Sequence, residues 1–167
     1  MALPILISTR DVVELTVVGG NVDTNKFQQN IYYQQDATLK PIIGDELLDK
    51  LETDVVNGGF QEPYLSLVND YIKFVLAYAT AADYILTAGI NVTNGGVTSY
   101  SPDNGTQATR DDVNILSVNV KNKSEHYGQM LIDYLEKNRS SFPEYKGSST
   151  NSNFNGWQLD NGYGCNY

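Results

Sequence analysis

The residues that could do chemistry are few and poorly grouped. The one histidine, His126, follows Glu125, a pairing in which a carboxylate can orient an imidazole as a general base. Consecutive residues on a helix point about 100° apart, so these two would not face inward together, and a surface histidine is the expectation. Asp45-Glu46 and Asp111-Asp112 are paired carboxylates. Each pair falls where a helix is expected to begin, and the need for acceptors at a helix N-terminus accounts for both without catalysis. Cys165 is the one cysteine. It has no intrachain disulfide partner, and one cysteine with one histidine cannot assemble a zinc site of the usual kind. Asn94-Gly95-Gly96 lacks the Lys-Ser/Thr of a phosphate loop, and Asp103-Asn104-Gly105 lacks the spaced carboxylates and terminal Glu of a calcium loop. The expectation is a protein that is not an enzyme, with no catalytic residues, no cofactor and no metal.

These residues belong to a chain of 167, one domain's worth, with 41% hydrophobic and 19% charged residues. That is enough apolar material for one core and excludes a fully disordered chain, a collagen-like fibre or a disulfide miniprotein. Eleven Lys and Arg against 20 Asp and Glu leave a net charge of −9. Wrapping nucleic acid through its phosphates, or settling on an anionic membrane, requires the opposite sign. The longest mostly apolar run, Tyr71 to Leu86, contains Lys73 and Asp83 and is too short and too charged to span a bilayer. The N-terminus lacks a basic region followed by a long apolar one. A protein made in a cytoplasm, with no membrane partner, is expected.

The hydrophobic period predicts helices. A short one follows a cap at Ser8 or Thr9, with Asp11 in its first turn and Val12, Val13 and Leu15 behind it. A second runs from about Asn25 to Leu39, with Phe27, Ile31 and Gln34/Gln35 on one side. Pro41 is expected to kink the chain or start a new turn. Asp45 is expected to cap a third helix, from Glu46 to Val56, striped by Leu47, Leu48, Leu51 and Val55 and stopped by Gly58-Gly59. From Pro63 to Ala88, steps of three and four through Leu65, Val68, Ile72, Val75, Leu76, Ala79, Ala82 and Leu86 predict a helix of about six turns, central to a bundle. Residues 90–107 break this period, and Asn94-Gly95 between Ile90-Asn-Val-Thr and Val97-Thr-Ser-Tyr100 predicts a hairpin. Val113, Leu116, Val120, Tyr127, Leu131, Tyr134 and Leu135 then carry a last helix to Asn138, with Phe142-Pro-Glu-Tyr145 closing the domain.

The fold class expected is therefore all-α: about four main helices in a bundle over residues 1–146, a β-hairpin insertion near 90–107, and an extended arm over 147–167. Ser148 to Tyr167 holds five Asn, three Ser and three Gly, with Asp160 its one charge. Such a segment cannot build a core. Yet Phe154, Trp157, Tyr163 and Tyr167 are spaced through it, and aromatics on an adaptable backbone are what anchor interfaces. The hairpin residues Asn94, Gly95, Val97 and Tyr100, together with these four aromatics, are the candidate partner-binding residues.

Two stretches, Phe27-Gln-Gln-Asn-Ile31 through Leu39-Lys-Pro-Ile-Ile-Gly-Asp-Glu-Leu48, and the Tyr64–Leu86 helix followed by Ile90-Asn-Val-Thr-Asn-Gly-Gly-Val97, are succeeded by a Tyr- and Leu-rich helix ending in Tyr134-Leu-Glu-Lys-Asn138 and Phe142-Pro-Glu-Tyr145. In order and phrasing, over about residues 5–145, they resemble the head–tail connector (adaptor, or neck-ring) proteins of tailed bacteriophages, of the type in Bacteroides and crAss-like phages. The resemblance implies a structural virion protein located at the capsid–tail neck. It would form a ring, usually of twelve copies, under the portal protein, extend the channel through which genomic DNA passes without specific binding, and dock the next neck or tail protein. It carries over no catalytic residue. The reading from another class is a small helical ligand- or peptide-binding module with a tyrosine-lined pocket and no role in a virion. An enzyme built on Glu125 and His126 is set aside on the geometry above.

Overall fold

Ser8 opens the first helix, α1 (Thr9–Leu15), with a reciprocal cap: its hydroxyl accepts from the Asp11 N–H while the Asp11 carboxylate accepts from the Ser8 N–H. The computed structural model describes residues 4–19, 24–88, 90–93, 96–99 and 108–147. Ahead of α1, residues 4–7 are tied down by one buried amide. Gln35 Oε1 accepts from the Leu6 N–H at 2.7 Å, and its Nε2 donates to Pro4 O and to Glu52 Oε1. A buried glutamine with donor and acceptor both satisfied costs little and fixes direction.

The second helix, α2, spans residues 24–43 and buries Phe27, Ile31, Leu39, Ile42 and Ile43. It stays continuous through Pro41, which stands in the first turn of the α segment that begins at Lys40, the new turn expected there. The reason lies just before it. Gln35–Leu39 forms a π turn in which the Lys40 N–H reaches back to Gln35 O, and such a widened turn accommodates a residue that has no N–H and a bulky ring. Gly44, at φ +83°, then turns the chain in the left-handed region that favours glycine. It is Gly44, not Asp45, that occupies the cap position of α3 (Asp45–Val56). Asp45 instead lies in the first turn and pairs with Lys40 at 2.9 Å, so its charge serves the helix end through the dipole and a neighbour. Leu47, Leu48 and Leu51 are buried as the period predicts.

The long helix α4 covers residues 64–87 and carries a second π turn at Val68–Ile72. It packs against α1, α2 and the last helix, α5 (Arg110–Lys137). The extra residue in the π turn shifts the phase of the inward stripe. Leu67 is fully buried and Leu65 is 38% exposed, the reverse of what an unbroken 3.6 period gives. Leu86 at the other end is exposed as well. Between α4 and α5, Ile90–Thr93 (β1) pairs antiparallel with Gly96–Ser99 (β2), Val92 opposite Val97. The described chain is thus a helical protein of five helices with one two-stranded ribbon between the last two.

The α4–α5 seam is built on small residues. Ala77, Ala79, Ala81 and Ala82 are buried on α4, and Ser117, Val120, Ser124, Gly128, Leu131 and Leu135 on α5. The Ser117 hydroxyl donates to Ala82 O and the Ser124 hydroxyl to Val75 O, both at 2.8 Å. Both pairs step by seven residues in opposite directions, the register of two antiparallel helices packed side by side. Gly128 lets α2 approach the same face: a Cβ there would meet Ile42 Cδ1 at 3.2 Å. Leu116, expected on the stripe, is instead 43% exposed. Replacing a buried serine should therefore separate packing from hydrogen bonding. In urea unfolding, Ser124→Ala costs about 1 kcal/mol for the lost bond, and Ser124→Leu about 3 kcal/mol by forcing the helices apart. Leu116→Ala stays within about 0.5 kcal/mol.

Candidate functional site

The outer edge of the α4–α5 seam is a row of rings. Tyr71 stacks on Tyr134 with centroids 4.4 Å apart. Tyr127 lies between Phe74, at 4.9 Å, and Tyr78, at 5.6 Å with the planes 6° apart. Tyr71 and Tyr78 on α4 face Tyr134 and Tyr127 on α5 in the same antiparallel seven-residue step that sets the serine bonds. The backbone register fixed by small residues thus decides which tyrosines meet. Burial, and then the neighbouring Tyr127, holds the Tyr78 hydroxyl above its ordinary pKa; burial, and then Tyr71, does the same for Tyr134.

One stretch of this row opens into a groove of about 360 Å³ lined by Tyr78, Asn122, Lys123, His126 and Tyr127. Tyr78 and Tyr127 line it as a stacked pair of rings. The Lys123 ammonium lies 5.6 Å from the Tyr78 centroid, within cation–π range. His126 meets Tyr127 edge-on at 5.6 Å. No carboxylate is among the lining residues, so the groove is a basic, aromatic spot on an acidic chain. It offers stacking and a positive charge.

At the far end of α4–α5, where the ribbon attaches, Leu86, Ile115, Leu116 and Val118 are all exposed, Ile115 at 61%. The level set by Ala82 and Ser117 puts Leu86 within about a turn, roughly 5 Å, of Ile115 along the shared axis. The opposite end is closed. Phe142, fully buried, sits edge-on to Tyr64 at 5.5 Å. The Tyr64 hydroxyl donates to Glu144 Oε2 at 2.7 Å, and Lys50, paired with Asp54, lies 4.6 Å from the Tyr64 ring. Tyr145 is buried beside it and donates to Glu136.

The candidate residues of the sequence fare differently. Val97 lies in β2 opposite Val92. Asn94, Gly95, Tyr100, Phe154, Trp157, Tyr163 and Tyr167 lie outside the described residues. His126 is exposed and in ring contact with Tyr127. Asp112 is the reciprocal capping partner of Thr109, and Glu46 pairs with Lys146. Among the described residues no three of His, Cys, Asp and Glu gather as metal ligands, and no helix is long and apolar enough to cross a membrane. The groove residues Tyr78, Lys123 and Tyr127 were not anticipated as a group. The signal was available in the seven-residue recurrence of Tyr71/Tyr78 and Tyr127/Tyr134.

Fold and surface together define a small helical protein whose described face offers an aromatic groove and an apolar end. Its residues 39–155 match the model of a family of unknown function, DUF6712, and the chain belongs to that family. The matched stretch begins in the π turn of α2, takes in α3, α4 and α5, and runs on past Lys146 into the Asn- and Ser-rich segment. No curated protein and no solved structure matches the chain.

Burial and the bond to Glu144 push the Tyr64 pKa up to about 12. The unfolded chain would release that proton near 10, so below pH 10 the native state keeps its advantage and between about 10 and 12 it loses it. Alkaline unfolding followed by helix signal should therefore show a stability loss over that window. Tyr64→Phe removes the Tyr64 share of the loss and leaves the remainder.

Proposed function

We propose that this protein is a structural subunit of a bacteriophage head–tail connector. Copies form a ring, of twelve by the family resemblance, that docks under the portal, extends the DNA channel and joins the capsid at its neck to the next neck or tail component. The observation that carries the reading is the exposed apolar end of α4–α5. Large apolar side chains left exposed at one end of two packed helices, next to a ribbon with an open edge, suit an assembly surface. Ring closure uses heterologous contacts, one patch of a subunit meeting a different patch of the next. The ribbon, with Asn94, Gly95, Val97 and Tyr100, and the arm, with Phe154, Trp157, Tyr163 and Tyr167, are the elements proposed to reach neighbours. The acidic balance suits a lumen through which DNA slides, since like charge prevents sticking.

The ligand- or peptide-binding module is the competing reading, and the groove at Tyr78, Lys123, His126 and Tyr127 favours it. Its volume lies at the small end of the range for ligand sites. Electron microscopy and mass analysis of the protein mixed with its cognate portal, beside a version ending at Lys146, separate the two. The connector reading predicts a ring stacked on the portal, weakened by the truncation. A ring indifferent to truncation keeps the connector and removes the arm from it. A monomer that ignores the portal overturns the connector and leaves the module.

A further inference from the structure

We infer that one water molecule is held between α2 and α4, donating to Asn30 Oδ1 and accepting from the Thr80 hydroxyl. The site lies behind the surfaces described above and is independent of the connector reading.

Asn30 and Thr80 meet where α2 packs on α4. The Asn30 Nδ2 donates to Thr80 O at 3.4 Å, longer than the usual range for such a bond. Two other oxygens of this pair are closed to solvent and have no hydrogen-bond partner: Asn30 Oδ1 and Thr80 Oγ1. Thr80 itself is fully buried. The buried hydroxyls of Ser117 and Ser124 each reach a carbonyl, and the buried amide of Gln35 is satisfied at both ends. Two unmet oxygens on residues already bonded to each other therefore point to a shared ligand.

The donor and acceptor types say which ligand. Asn30 Oδ1 only accepts, whereas the Thr80 hydroxyl donates or accepts. Flipping the Asn30 amide would set its oxygen against Thr80 O, acceptor against acceptor. Turning the Thr80 hydroxyl onto Leu76 O, one turn back, would satisfy Thr80 and leave Asn30 Oδ1 bare. An ion would be buried with no opposite charge on either residue, at high cost. A small neutral molecule that both donates and accepts meets both needs, and water is that molecule. Its size suits the gap. Two oxygens bridged by one water stand about 4–5.5 Å apart, the separation expected of side chains already joined by one long bond. The Phe27 and Tyr84 rings, with centroids 4.4 Å apart, meet about one turn further along the same seam and help to keep bulk solvent out. The α4–α5 seam is thus bonded directly by its serines, and the α2–α4 seam through a water.

A crystal structure of the full chain that resolves ordered water tests the site. The expected result is density within about 3.2 Å of both Asn30 Oδ1 and Thr80 Oγ1. In solution, oxygen-17 relaxation dispersion counts waters held longer than those of the surface. Thr80→Val loses one of them and Thr80→Ser keeps it, with the helix signal intact in both. In urea, Thr80→Val lowers the midpoint, and lowers it less in an Asn30→Ala background where the site is already broken. Crystal density that places the Thr80 hydroxyl directly on Asn30 Oδ1 or on Leu76 O, with nothing between the side chains, overturns the inference. So does an equal count of long-lived waters in the wild type and Thr80→Val. A urea midpoint that Thr80→Val leaves unchanged or raises overturns it too, since that is the result of removing a hydroxyl with no partner.

Discussion

The serine hydroxyls of α5 bonded to the carbonyls of α4 are the constraint on which the rest of the structure depends. A serine facing another helix is short enough for the backbones to approach closely. The cost of burying its hydroxyl is met by the carbonyl it reaches. Two such bonds seven residues apart mark the register of the antiparallel pair. A slip by one turn would put longer side chains where the serines let the backbones meet and push the helices apart. With the register fixed, Leu131 and Leu135 fall into the core, Gly128 leaves room for Ile42 of α2, and α2 brings with it the buried Gln35 that anchors the approach to α1.

The same register decides the surface. Because Val75 is level with Ser124, Tyr78 comes beside Tyr127 and Tyr71 beside Tyr134, and the ring row follows from bonds made at its back. The groove over Tyr78 and Tyr127 is therefore carried by two rigid helices and not by a loop, which suits a docking surface that must keep its shape. The apolar residues beside the ribbon lie on the same two helices, beginning at Val118, about one turn of α5 before the groove residue Asn122. The two helices thus hold both surfaces on one rigid platform.

Much of the helical plan was legible in the sequence, because it rests on apolar period and caps. Ser8 with Asp11 and Thr109 with Asp112 announce two starts, and Leu47, Leu48 and Leu51 announce a buried stripe. What escaped had physical causes. The stripe of α5 is made in part of Ser117, Ser124 and Gly128, which no hydrophobic count registers, so Leu116 took a place it does not hold. The π turn at Val68–Ile72 rotates the early part of α4 relative to the late part, and an unbroken period then selects Leu65 over Leu67. The continuity of α2 across Pro41 depends on the π turn ahead of it, which the hydrophobic period does not register. The groove escaped because Tyr78 and Lys123 lie on different helices, and only the register brings them together. The arm was legible as composition alone, and the family match running past Lys146 places part of it within the family's extent.

Native-state hydrogen exchange tests the central place of the α4–α5 seam most directly. The account predicts that the amides of α4 around Val75–Ala82 and those of α5 around Ser117–Leu131 exchange only through global unfolding, with α1 opening at lower free energy. Amides of α5 that exchange well before those of α2 and α3 would contradict it, since the helix said to set the register would then be free to leave while the remainder stayed folded.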